Sequence, residues 1–260
     1  MDGTEDAGPD RARDDPTTLA VVGAVGGTGA TRLTVEIGAA LAREGWDVAV
    51  LDAAYATQGL ADHVSGRIDP DVTACVTETR PLDEGLMTLP LDAAGRVACL
   101  PAHAPFKRLA RAKTPEAAQR LEGLAATAAD RFDAVLLDTP PVAANQAVAA
   151  VTAADRVALV TPDSRRGADA LPRAADRLRD LGVVPNCEVA NAGVGGEGTV
   201  ERAAVTLPAS TTTAPDDAPA YPDGGAFAAA VASVAASTLA VEPEPDDGGG
   251  LGAYVPGLSE

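Results

Sequence analysis

The chain has 260 residues, 38 acidic and 20 basic side chains, a net charge of −18 and 46% hydrophobic residues. So acidic a chain excludes general phosphate neutralisation as a route to nucleic acid, unless a local basic patch overrides the average. The apolar fraction excludes a disordered acidic tail, and the length suits one large or two small domains.

Residues 1–16, rich in Asp, Gly, Pro and Arg, predict a solvated tail, and 242–260, acidic and Gly-rich, predict another. Between them, short apolar runs alternate with helical patterns. The predicted strands are Leu19–Ala24, Val48–Asp52, Val97–Leu100, Ala134–Asp138, Val157–Thr161 and Val184–Ala190. The predicted helices are Thr31–Arg43, Pro115–Ala129, Val142–Val151, Ala168–Leu181 and Gly225–Leu239. Continuous apolar strands separated by helices predict a doubly wound, mostly parallel sheet with helices on both faces, forming one domain over residues 17–241. Its ligand site is expected at the carboxyl ends of the strands.

Cys75, Cys99 and Cys187 form no paired spacing and read as reduced, mostly buried thiols. The first residues carry no secretory pattern and no run is long enough to span a membrane, so a cytoplasmic location is expected.

Four strand ends carry polar residues where a site would form. Gly26-Gly27-Thr28-Gly29-Ala30-Thr31 lies between a strand and a helix, where glycines turn backbone N–H groups inward and the helix dipole favours a phosphate. Thr31 offers a hydroxyl to magnesium. Asp52 and Asp138 each close a buried strand, a costly place for a carboxylate unless both face a hydrated cation. Asn191 directly follows the sixth predicted strand, where its amide is a candidate reader of a base edge. The competing readings are a ligand-free glycine turn and helix N-capping by the aspartates.

Together these segments resemble the deviant-Walker-A ParA/MinD family of P-loop ATPases over about Leu19 to Leu239. Val25-Gly26-Gly27-Thr28-Gly29-Ala30-Thr31 lies where that family has K-G-G-x-G-K-[ST]; Asp52 with Gly59-Leu60 is similar to its switch I strand, and Asp138-Thr139-Pro140-Pro141 to its Walker B segment. Val189-Ala190-Asn191 is similar to its adenine-reading strand. The resemblance implies a P-loop NTPase fold, ATP or ADP with Mg²⁺, and a sandwich homodimer. The departures fall on the chemistry. Ala30 replaces the P-loop lysine, Val25 the signature lysine, Ala54 the water-orienting aspartate, and Ala24 the opening glycine.

A charge-assisted bond to phosphate contributes about 1.5–3 kcal/mol, so each absent lysine weakens binding about 10- to 150-fold. Phosphoryl transfer depends on such charges still more. The expectation is a nucleotide-binding or regulatory, partition-type module with little or no hydrolysis. An active ATPase using Arg165 and Arg166 as a phosphate clamp, or a nucleotide-free scaffold for a protein partner, are the alternatives. The C-terminal region lacks a basic membrane-binding helix, and Arg202 is the single basic residue after Arg179, which argues against DNA binding by late basic residues. Phe106–Lys113 carries four positive charges, read as a solvated helix face or as a dock for an acidic partner.

Eighteen arginines against two lysines, and 25 aspartates against 13 glutamates, resemble proteins of salt-loving archaea. That bias accounts for Lys-to-Arg exchange, and not for Ala30 or Val25.

Overall fold

A computed structural model describes residues 17–221, 224–239 and 241; the expected tails at 1–16 and 242–260 lie outside the described residues. In chain order the elements are β1 (Thr17–Gly23), α1 (Ala30–Arg43), β2 (Asp47–Asp52), α2 (Val72–Glu78), α3 (Leu82–Gly85), β3 (Met87–Thr88), β4 (Arg96–Leu100) and α4 (Phe106–Ala112). They continue with α5 (Pro115–Ala129), β5 (Ala134–Thr139), α6 (Asn145–Thr152), β6 (Arg156–Pro162), α7 (Arg165–Asp180), β7 (Cys187–Asn191), β8 (Val205–Leu207) and α8 (Gly225–Leu239). The strands form one sheet in the order β3-β4-β2-β5-β1-β6-β7-β8, parallel throughout except for the β3–β4 pair.

Alternate residues of each central strand point to opposite faces. Leu19 and Val21 of β1 join one apolar layer with Leu33, Ile37 and Leu41 of α1 and Val231 of α8. Ala20 and Val22 join the other, with Leu121 of α5, Val151 of α6 and Leu171 and Leu178 of α7. Burying each of these large side chains stabilises the fold by about 1.5–3 kcal/mol. A doubly wound, mostly parallel α/β sheet results, as the alternating pattern predicts. Among the described residues no helix is long and apolar enough to cross a membrane.

Helix starts follow their caps. Thr114 accepts from the Ala117 amide ahead of Pro115, so α5 begins where expected. Ser164 accepts from the Gly167 amide, which starts α7 at Arg165, earlier than the predicted Ala168. Conversely, β7 begins at Cys187 rather than Val184: Pro185 cannot donate to a ladder, and Val184 is 68% exposed. The helix expected from Val142 begins at Asn145, after the extended Ala144. Phe106–Ala112 of the cationic stretch forms α4.

Candidate functional site

β1 lies between β5 and β6, and β5 also pairs with β2. Three strand ends therefore converge beside the loop from Ala24 to Gly29. In the parallel register Asp52 stands opposite Asp138, and Val22 opposite Thr139. Gly29 caps α1 with φ of 82°, a left-handed conformation that glycine adopts without strain. A Cβ there would also come within 2.5 Å of the Asn191 side-chain nitrogen.

The loop is braced rather than open. Asn191 Nδ2 donates to the Thr28 carbonyl at 2.9 Å, and its Oδ1 accepts from the Gly193 amide at 3.0 Å. Both ends of the amide, the group singled out as a base reader, are thus engaged in holding the turn. Asn191→Ala leaves the Thr28 carbonyl and the Gly193 amide without these partners; a loss of about 1–3 kcal/mol is expected in chemical denaturation. Gly26 and Gly27 form the exposed tip and Thr28 is buried. Ala30 is 8% exposed, and its methyl belongs to the apolar layer under α1.

Thr31 Oγ1 donates to an Asp138 carboxylate oxygen at 2.7 Å. Asp138 is 1% exposed; burial pushes its carboxyl up to about 6, opposed by the Thr31 hydroxyl. Asp52 is fully buried, with one oxygen accepting from the Ala54 amide at 2.7 Å and the other from the Ala102 amide at 3.0 Å. Its carboxyl is raised well above the ordinary range, by burial first and then by the Asp138 charge, against the two amide bonds. A hydroxyl and two carboxylates on adjacent strand ends are oxygen ligands suited to a hard cation. Magnesium would offset the repulsion and keep waters for its remaining positions. Among the described residues no cluster of three His, Cys, Asp or Glu side chains is arranged around a metal position.

No basic residue lies between Gly23 and Thr31. Arg32, the next in the chain, donates to Glu36 and to the Thr212 carbonyl at 3.3 Å, away from the loop. Arg165 and Arg166 are exposed in the first turn of α7, whose Arg165 amide donates to Glu197 at 3.1 Å. Glu197 and Ser164 therefore engage two of the N–H groups at the head of α7, and a carboxylate stands where a phosphate would approach it.

Three buried carboxylates escaped the sequence reading. Glu36 of α1 is fully buried and accepts from the amides of Ala220 at 2.8 Å and Tyr221 at 2.7 Å as well as from Arg32. Asp163, at the end of β6, gathers the amides of Gly198, Thr199 and Val200 at 2.9–3.3 Å. Asp71 caps α2 through the Ala74 amide and also holds the His103 amide at 2.8 Å and Arg108 at 2.8 Å. A polar residue opening a helix hinted at Asp71; Glu36 and Asp163 carry no local signal.

The sheet order and the strand–loop–helix at its centre define a P-loop NTPase fold of the ParA/MinD type. No family model matches the chain, and no curated protein does. Solved structures do. The cell division ATPase MinD of Pyrococcus furiosus has a TM-score of 0.68 at 18% identity, covering 85% of this chain and 97% of its own. MinD of Pyrococcus horikoshii OT3, solved with Mg-ADP, has a TM-score of 0.60 at 17% identity over 75% of this chain and 82% of its own. A ParA family ATPase of Chlorobium tepidum TLS has a TM-score of 0.62 at 16% identity over 75% and 85%. At such identities the likeness is one of fold.

Proposed function

We propose that this chain is a single-domain nucleotide-responsive regulatory module, binding Mg-nucleotide weakly at the loop after β1 and hydrolysing it negligibly. The observation that carries the reading is the pairing of an intact loop scaffold with a loop empty of cations. Gly29, Thr31 and the uncapped start of α1 are in place for a phosphate. Ala30 instead packs into the apolar layer, and the nearest basic side chain in sequence is committed to Glu36. Two buried carboxylates without a compensating cation would oppose a triphosphate arriving without its metal.

Thr31 and Asp138, with Asp52 beside them, would hold magnesium, whose charge would offset that of a bound phosphate. This chain's own part is to present backbone N–H groups, fix the metal ligands and bury them from solvent. Ala54 offers no carboxylate to orient a water. Support for nucleotide comes from the neighbour solved with Mg-ADP. The clamp reading of Arg165 and Arg166 gains no support from a helix head already occupied by Glu197.

The test is calorimetric titration of ATP and ADP with Mg²⁺ at high salt, followed by phosphate release from the same sample. Weak binding without turnover is expected; tight binding with turnover would reject the reading. Ala30→Lys restores one cation at the loop and is expected to tighten Mg-ATP binding about 10- to 150-fold.

A further inference from the structure

Six surface arginines are paired with acidic neighbours: Arg67 with Asp69, Arg80 with Glu84, Arg96 with Asp47, Arg131 with Asp83, Arg179 with Asp176 and Arg202 with Glu188. α4, like α7 with Arg165, Arg166, Arg173 and Arg177, carries exposed cations outside any ion pair among the described residues; on α4 they flank an exposed aromatic ring. Lys107 and Arg111, one helical turn apart, are exposed and make no ion pair among the described residues; Lys113, at the end of α4, is half-buried and likewise unpaired. Like charges at this spacing repel, and no carboxylate among the described residues forms an ion pair with them. Beside them Phe106 is 84% exposed, a large aromatic side chain facing water at the head of the helix.

The helix is held firmly despite its exposed face. Arg108 points inward, donating to Asp71 at 2.8 Å and to Thr73 at 2.9 Å, and Ala112 is buried. The segment leading into α4 is stitched to the candidate site. Ala102 donates to Asp52 at 3.0 Å, and Ala104 exchanges hydrogen bonds of 3.2 Å with the Gln58 side chain in both directions. Next to this segment lies a cavity of about 490 Å³ lined by Ala61, Val64, Ile68 and His103, with Asp62 and Arg67 at its walls.

We propose that the exposed side of α4 docks an acidic peptide segment of a partner protein, its carboxylates on Lys107, Arg111 and Lys113 and an apolar side chain against Phe106. Charge complementarity selects this occupant. Three cations on one short helix of a chain of net charge −18 are too few to hold nucleic acid or an anionic lipid surface against the surrounding repulsion. They suffice to steer and register a short acidic segment, and an aromatic anchor supplies what surface charges alone do not. Because α4 follows closely on the stretch whose Ala102 amide holds Asp52, binding there is placed to bias the nucleotide site. That last link rests on the nucleotide-responsive reading; the docking itself does not.

Fluorescence anisotropy of short labelled peptides on the full-length chain tests it. One probe alternates Glu with Leu, a second is all Glu, and a third replaces Glu by Lys. The Glu/Leu probe is expected to bind, more weakly as salt rises, and the Lys probe not to bind. The double variant Lys107→Glu, Arg111→Glu should weaken the Glu/Leu probe about tenfold or more. Phe106→Ser should weaken it by a similar factor while leaving the all-Glu probe unchanged. These side chains are exposed, so an unchanged melting temperature confirms that each variant folds. Absence of binding by the wild type, or equal binding by the charge-reversed variant, overturns the proposal. So does light scattering that shows self-association abolished by Phe106→Ser, which would assign the patch to a second copy. Mg-ATP titration of the same variants reports separately on the nucleotide reading.

Discussion

Asp138→Asn is expected to stabilise the metal-free protein at pH 7 by about 3 kcal/mol, an unusual direction for a change in a buried site. The native carboxyl keeps its proton up to about pH 6, whereas the unfolded chain releases it near the ordinary 3.8. Between those values the native state binds more protons than the unfolded state, so the contribution of Asp138 is full below 3.8 and is lost as pH rises through 6. Asparagine is uncharged throughout and still accepts from the Thr31 hydroxyl. Urea unfolding of both proteins should therefore agree near pH 4 and diverge by pH 7. Millimolar Mg²⁺ should raise the wild-type midpoint at pH 7 and leave the variant unmoved. A variant less stable than wild type at pH 7 would mean that the carboxylate is ionised and compensated, and the cation-poor description of the loop would fail.

The opposite sign is expected at Glu36. Glu36→Ala removes the acceptor for the buried amides of Ala220 and Tyr221 and the counter-charge of Arg32, whose side chain keeps 20% of its surface in water. Each buried amide left without its acceptor costs about 1–3 kcal/mol. Glutamine is expected to fall between the two: one of its ends accepts an amide, and the other presents hydrogens to a second donor. The denaturation midpoint at constant slope measures both changes. An alanine variant as stable as wild type would show that residues 212–221 are held by other contacts.

The contrast between these two carboxylates explains what a linear reading of the chain captures. Val48–Asp52 and Ala134–Asp138 are continuous apolar runs closed by a polar residue, and both fold as central strands ending side by side. Their aspartates were visible because a charge at the end of a buried strand is locally anomalous. Glu36 sits in a helical pattern where a glutamate ordinarily faces water, and its partners lie 184 and 185 residues away in sequence. The donors to Asp163 belong to a glycine-rich segment 35 to 37 residues further along, with no periodicity to announce them. Edge strands β3 and β8 are two and three residues long, too short for any alternation to register. Asn191 was legible as a polar strand end, but whether its amide faces a ligand or the chain itself depends on the carbonyl of Thr28, 163 residues earlier.

That last bond has a thermodynamic consequence. A glycine-rich loop that is free in solution must be ordered when a ligand arrives, at a cost of about 1–2 kcal/mol for each residue fixed. Here a strand two places away in the sheet already sets the shape of the turn, so little ordering remains to oppose binding. On the proposed reading the loop is preorganised, and the missing cations are what limit its hold on a phosphate. Calorimetry of Ala30→Lys should accordingly show tighter Mg-ATP binding, opposed only by the ordering of the lysine side chain, about 0.5–1.5 kcal/mol.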